Sequence, residues 1–264
     1  MDNLTHLTDR ISRLTIPFSD VYTTVFIIKT DKGVIIFDTA TYASDVDTYI
    51  IPALCELGIT AEMLKCVFLS HSHGDHAGGL ARLVEIYKDI SIVSRSTELS
   101  EKYKDFRFVF PDDGQEICDG FCAFAVPGHS ADSMILFDKK SKVALTGDSL
   151  QMYGLFGSGE WGANIGMPTE HIEAVEKLQR MDIEFIYTSH DYYPCGYAYC
   201  GNGNVEKAFK LCIEPIMKIA ELVRNNPTLQ AEGIKVLYHS REKLPTVRLG
   251  VFEAVKKAVA EGKI

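Results

Sequence analysis

The sequence predicts a mixed α/β fold that closes with a helical segment, and three observations carry that expectation. Short apolar, β-rich runs alternate with helix-periodic stretches as far as about residue 190. Ligand-competent side chains follow the ends of several of these runs. Beyond His190 the apolar spacing turns helical through Val205, Ala208, Phe209, Cys212, Ile216, Ile219, Ala220 and Val223.

Residues 25–29 and 34–38 read as paired strands, because Thr30-Asp31-Lys32-Gly33 between them is turn chemistry. Residues 44–57 read as a helix broken or kinked at Pro52. A buried strand at 66–70 leads through a Gly-containing loop into a helix over 79–87. Further strands are expected at 90–94, 106–110, 121–126, 134–137, 143–146 and 185–189, and helices at 97–104 and 169–181. Thr169, after Pro168, is the expected N-cap of the last of these. The C-terminal helix is expected to be interrupted at Pro215, followed by a short strand at 235–238 and a final helix over 247–260. With no repeat or long linker, the 264 residues read as one domain, its core at about 15–195 and its helical segment at about 203–264.

Composition narrows the function classes. Lys+Arg number 27 against 36 Asp+Glu, a net charge of −9, which argues against a general nucleic-acid binder. The longest apolar run, Phe121 to Val126, falls far short of the ~20 residues that span a bilayer. The N-terminus, MDNLTHLTDRIS, has no basic stretch leading into an apolar one, so the expected setting is the cytoplasm. The seven cysteines include no Cys-x-x-Cys pair and read as reduced, mostly packed thiols; Cys195 and Cys200 flank what reads as a Gly/Tyr loop.

The densest chemistry lies in Leu69-Ser70-His71-Ser72-His73-Gly74-Asp75-His76-Ala77-Gly78-Gly79, between a predicted strand and a predicted helix. Three imidazoles and a carboxylate so close together form a concentrated set of borderline metal ligands. His71 and His73, two apart in extended chain, can grip one ion, while Asp75 and His76 reach a second once the chain turns. Glycines 74, 78 and 79 permit the tight path. His129, Asp148 and His190 each come just past the end of a predicted apolar strand, as ligands contributed from elsewhere in a sheet would. His6, His171 and His239 fall outside these motifs and read as surface or packing residues.

This pattern resembles the metallo-β-lactamase-fold hydrolase superfamily, whose motifs are matched by Asp38, the His71–His76 cluster, His129, Asp148 and His190 over about residues 15–195. The resemblance implies a four-layer αβ/βα sandwich. It assigns His71, His73 and His129 to one metal and Asp75, His76 and His190 to the other, with Asp148 shared and Asp38 supporting the ligands from behind. It also implies two divalent ions, zinc in the first instance with iron or manganese also suited to the donor set. A hydroxide bridging the ions would attack the substrate, oriented by Asp75. Two divalent ions set against Asp75, Asp148 and that hydroxide leave about one positive charge, favourable to an anionic transition state.

Within the superfamily the sequence is most similar to glyoxalase-II-like thioesterases, through the Gly-Gly after the His76 segment, Thr-Gly-Asp-Ser-Leu around Asp148 and His190-Asp191-Tyr192. That branch implies Tyr192 as a substrate contact. Glyoxalase II enzymes grip glutathione with basic residues after the shared Asp, yet residues 151–166, QMYGLFGSGEWGANIG, hold no Lys or Arg. Tyr153, Phe156 and Trp161 instead suit a partly apolar cover that contacts substrate. A small ester, lactone or thioester is therefore the expected substrate, with the glutathione thioester as the alternative. Acyl-homoserine-lactone hydrolases carry Tyr three positions after the shared Asp, where this chain has Gln151. A mononuclear iron persulfide dioxygenase and a non-catalytic metal-binding module are the readings from other classes, separable by metal stoichiometry.

Overall fold

The computed structural model describes residues 1–18, 21–152, 164–192, 196–231 and 248–264. Its packing divides the chain into two compact units. One comprises Met1–Ala125 with Met134–Ser141, the other Val126–Ser133 with Lys142–Ile264.

The first unit is built on a seven-stranded mixed sheet in sequential order: β1 (Leu4–His6), β2 (Ile11–Phe18), β3 (Val21–Thr30), β4 (Gly33–Phe37), β5 (Leu64–Phe68), β6 (Ser91–Val93) and β7 (Phe108–Val109). The first four form an antiparallel meander, and β4 to β7 run parallel. Alternation sorts the side chains. Val25, Ile27, Val34, Ile36, Val67 and Leu69 enter a cluster with Leu80, Leu83 and Val84 from the helical layer. Phe26, Phe37 and Phe68 lie on the opposite face in ring contact. Both faces are thus apolar, as the near-continuous hydrophobic runs of a parallel sheet require. The expected hairpin turn is present: Thr30 Oγ1 donates to the Gly33 carbonyl (2.7 Å), and Gly33 has a φ of 129° that a β-carbon would resist.

Residues 43–56 are helical in three pieces: α1 (Ala43–Asp45), a π-helical turn (Val46–Ile50) and α2 (Ile51–Glu56). The widened turn lies just before Pro52, which has no N–H and crowds the preceding turn, so the expected kink takes this form. After β5 come α3 (Gly74–Ala77), α4 (Leu80–Ile86) and α5 (Thr97–Lys102), the last capped by Ser96, whose Oγ accepts from the Leu99 N–H. Three antiparallel strands complete the unit: β8 (Glu116–Cys118), β9 (Phe121–Ala125) and β10 (Met134–Asp138). Arg10 ties them to the meander. It donates to both Asp138 carboxylate oxygens (3.1 Å each) and to Asp119 Oδ2 (2.8 Å), and lies over the Phe121 ring.

In the second unit β11 (Val143–Leu145) pairs parallel with β12 (Phe185–Tyr192), which pairs antiparallel with β13 (Gly196–Cys200). Between β11 and β12 lies α6 (Pro168–Leu178). Pro168, not Thr169, marks its start: Pro168 is inside the first turn and Met167 is the N-cap, the position where a missing N–H costs nothing. Among the described residues α7 (Asn202–Asn225) and α8 (Leu249–Ala260) follow. The interruption expected at Pro215 is absent, and α7 runs through it. Ile216, Ile219, Ala220 and Val223 pack with Val251, Phe252 and Val255 of α8. Burial of that stripe outweighs the one backbone hydrogen bond proline forfeits. Residues 235–238, expected as a strand, lie outside the described residues, as do His239 and Cys195.

Candidate metal centre

In the first unit the predicted cluster sits where β5 gives way to α3. Asp38, just past β4, is fully buried with a φ of 63°. Its Oδ1 accepts from the Ser70 N–H (2.7 Å), and its Oδ2 from Ser70 Oγ (2.8 Å) and His76 Nδ1 (2.7 Å). Burial pushes the Asp38 carboxyl above the usual carboxylate range, opposed by His76 and the Ser70 donors. The single hydroxyl proton of Ser70 is spent on Asp38, so towards His71 Nδ1, 3.0 Å away, Ser70 Oγ is an acceptor. Both His71 and His76 are therefore held with the proton on Nδ1 and the lone pair on Nε2. Asp38, which the resemblance implies as a support for the ligands, thus contacts His76 directly and His71 through Ser70.

The rings of His71 and His73 lie 4.6 Å apart by centroid, and those of His71 and His76 4.2 Å. Asp75 Oδ2 is 3.4 Å from His76 Nε2. His71 and His76 are buried, Asp75 is half-buried and His73 is exposed. Thr23 of β3 donates through Oγ1 to the Asp75 carbonyl (2.9 Å), and Thr39 N–H and Oγ1 both donate to the His76 carbonyl (2.6 and 2.9 Å). Gly78 and Gly79 are required by this docking, since a β-carbon on either would run into the Thr41 or Thr39 carbonyl. Gly74, expected to matter equally, has open space around its β-position.

In the second unit His129 follows Gly128 in the turn after β9, and its Nδ1 donates to the Asn164 carbonyl (2.7 Å), again leaving the lone pair on Nε2. That Nε2 is 3.6 Å from Asp148 Oδ2, and His190 Nε2 is 3.2 Å from Asp148 Oδ1. Asp148 thus turns one oxygen toward each imidazole. His190 lies within β12, not past its end as expected; the strand continues to Tyr192 across a break in register after Tyr187. Tyr192, expected to meet substrate, is 2% exposed. Tyr153, Phe156 and Trp161 lie outside the described residues.

Two further residues lie near this second set. His171, expected at the surface or in packing, is fully buried in α6 against Gly128, and burial with the nearby His129 pushes it down to about 4. Arg248, half-buried at the start of α8, feels the Asp148 carboxylate and the Tyr192 phenol, which oppose the lowering that burial imposes on its guanidinium. Neither has a local motif that would have flagged it.

Imidazole nitrogens and carboxylates with fixed tautomers are the donor set a divalent transition metal takes, so the residues fit the ions that the motifs imply. A family model of the metallo-beta-lactamase superfamily matches residues 19–190. The chain belongs to that superfamily. Among curated relatives, this superfamily member is 26% identical over 204 residues to a hydroxyacylglutathione hydrolase of Francisella philomiragia, covering 71% of this chain and 76% of that one. It is 26% identical over 206 residues to a beta-lactamase-like protein 2 homolog of Caenorhabditis elegans, covering 72% and 66%. Among solved structures, DIM-1 metallo-beta-lactamase superposes with a TM-score of 0.63 at 14% identity, over 80% of this chain and 97% of that one. Rubredoxin oxygen:oxidoreductase from Desulfovibrio gigas gives 0.63 at 20% identity, over 80% and 61%. The α/β class and the glyoxalase-II-like affinity read from the sequence are borne out. No described helix is long and apolar enough to cross a membrane.

Proposed function

We propose that this superfamily member is a metal-dependent hydrolase of a small ester, lactone or thioester. Two divalent ions, zinc in the first instance with iron or manganese as alternatives, would be held by His71, His73 and His129 and by Asp75, His76 and His190, with Asp148 shared. The observation that carries the reading is Asp148, which directs separate oxygens at His129 and at His190 (3.6 and 3.2 Å), the disposition of a bridging carboxylate. The reading requires the two units to act as one domain. When bound, the ions supply Lewis acidity and a water whose pKa falls to ~7.

The chain's own residues do the rest. Asp38 and Ser70, engaged at Nδ1, leave the Nε2 lone pairs of His71 and His76 for metal, and the Asn164 carbonyl does so for His129. Asp75 orients the attacking water by accepting its hydrogen bond. The acidic balance suits a cytoplasmic enzyme of small molecules, not a nucleic-acid partner. A glutathione thioester is the second reading, favoured by the similarity to a hydroxyacylglutathione hydrolase; residues 151–166 hold no cation for its carboxylates, and Arg248 is the one to test in their place. The test is hydrolysis of a panel of esters, lactones, thioesters and phosphodiesters, with oxygen uptake followed on a persulfide. Metal-dependent cleavage of the first three classes, lost on chelation and restored by zinc, is expected. Turnover that survives complete metal removal, or oxygen uptake without hydrolysis, overturns the reading.

A further inference from the structure

Gln151 is buried, 4% exposed, and both heteroatoms of its amide are engaged. Nε2 donates to the Asp148 carbonyl (3.0 Å), and Oε1 accepts from the Asn164 N–H (3.1 Å). Asn164 in turn offers its carbonyl to His129 Nδ1 (2.7 Å). The segment beyond it grips the same turn: Gly166 and Met167 N–H both donate to the Gly128 carbonyl (2.9 and 3.0 Å). Behind Gly128 stands the buried His171 ring, so close that a β-carbon there would lie 2.5 Å from Nδ1. Residues 128–129 are therefore held between His171 and the segment 164–167, and one side chain links that assembly to the backbone of Asp148. A primary amide suits the task, because it presents a donor and an acceptor in one plane to two backbone groups.

We propose that Gln151 is a positioning residue of the metal centre, coupling Asp148 to His129 through Asn164. Turned inward and doubly bonded, it is not presented to substrate. It fixes the spacing of two ligands contributed by different loops and holds the Asn164 carbonyl where it selects the His129 tautomer. The proposal rests on the hydrolase reading for its ligand set, but its central consequence, the His129 tautomer, is measurable with no metal present.

The test compares wild type, Gln151→Met, which keeps the volume and removes both bonds, and Ile90→Val, a buried change in the core cluster of the first unit. In metal-free protein carrying ¹⁵N-histidine, at a pH above the titration of the ring, NMR should find the proton of wild-type His129 on Nδ1, and Gln151→Met a mixture of tautomers. Titration with Co²⁺ alone, followed by its visible absorption, should show at least one of the two sites weakened tenfold or more in Gln151→Met. Ile90→Val should match wild type in both measurements. If Gln151→Met does not fold, Gln151→Asn, one methylene too short to span both groups, takes its place with the same expected readings. A single Nδ1–H tautomer and a wild-type cobalt isotherm in the Gln151 variant overturn the proposal, as do equal losses in Ile90→Val. Failure of wild type itself to bind cobalt refutes the hydrolase reading, while the tautomer measurement still decides the role of Gln151.

Discussion

Replacing Asp38 by Asn probes how this chain prepares its imidazoles. Asn is nearly isosteric with Asp and is among the side chains that accept the left-handed backbone at position 38, so the change is chemical and not conformational. With Oδ1 kept as the acceptor for the Ser70 N–H (2.7 Å), the amide nitrogen replaces Oδ2 and faces Ser70 Oγ and His76 Nδ1, two groups that now donate. Ser70 Oγ must turn to accept from it, which points the hydroxyl proton at His71 Nδ1 (3.0 Å). Both imidazoles then move their protons to Nε2, the nitrogen meant for metal. A hydrogen bond to a charged group is worth ~1.5–3 kcal/mol, which bounds the loss of folding stability. Loss of a partner behind a ligand weakens metal binding ~10–100-fold, or ~1.4–2.7 kcal/mol. Because His71 and His76 are assigned to different ions, both sites should weaken together. Zinc competition against a chromophoric chelator, with thermal melts of metal-free protein alongside, measures both quantities. Wild-type affinity in Asp38→Asn, or weakening of one site alone, would refute the reasoning.

Three further outcomes follow from other parts of the structure. Gly78→Ala drives a β-carbon into the Thr41 carbonyl and should cost at least ~1–3 kcal/mol in chemical denaturation, whereas Gly74→Ala, with open space, should cost well under that. His171 binds protons below about 6.5 when unfolded but only below about 4 when folded, so metal-free protein should lose about 3 kcal/mol as pH falls through that window. His171→Gln should flatten this part of the profile relative to wild type, and an unchanged slope would count against the buried neutral ring. Arg248→Gln should raise KM for a glutathione thioester about tenfold with kcat retained and leave a neutral ester unaffected, since a rim ion pair is worth about 1 kcal/mol or a little more; equal effects on both substrates would argue against a carboxylate contact.

Much of the fold was legible because the central strands are buried on both faces and so write themselves as apolar runs, as at Val34–Phe37 and Cys66–Phe68. Strands with weaker signatures were missed. In β2, Ser12, Arg13 and Thr15 break the apolar run and Pro17 sits near the end, yet the strand forms because it pairs along its whole length with β3. The run Gly196–Cys200, read as a Gly/Tyr loop, is an edge strand stabilised by pairing with β12. Proline was over-read at 215, where tertiary burial decides, and rightly read at 52, where the helix has little beyond it to hold. The proposed ligands stood out in the sequence because each is a rare residue type after an apolar run. Ser70, Asn164, Gln151 and Arg248 did not, because their roles depend on backbone groups and on helices far along the chain. No spacing rule encodes such partners.

The central claim is that Asp148 is shared by two ions, and counting metal measures it most directly. Elemental analysis of protein loaded with zinc and freed of excess should give two ions per chain for wild type. Asp148→Ala should retain fewer than two and lose turnover with them. One ion or none in wild type, or two ions with full turnover in Asp148→Ala, would contradict the account.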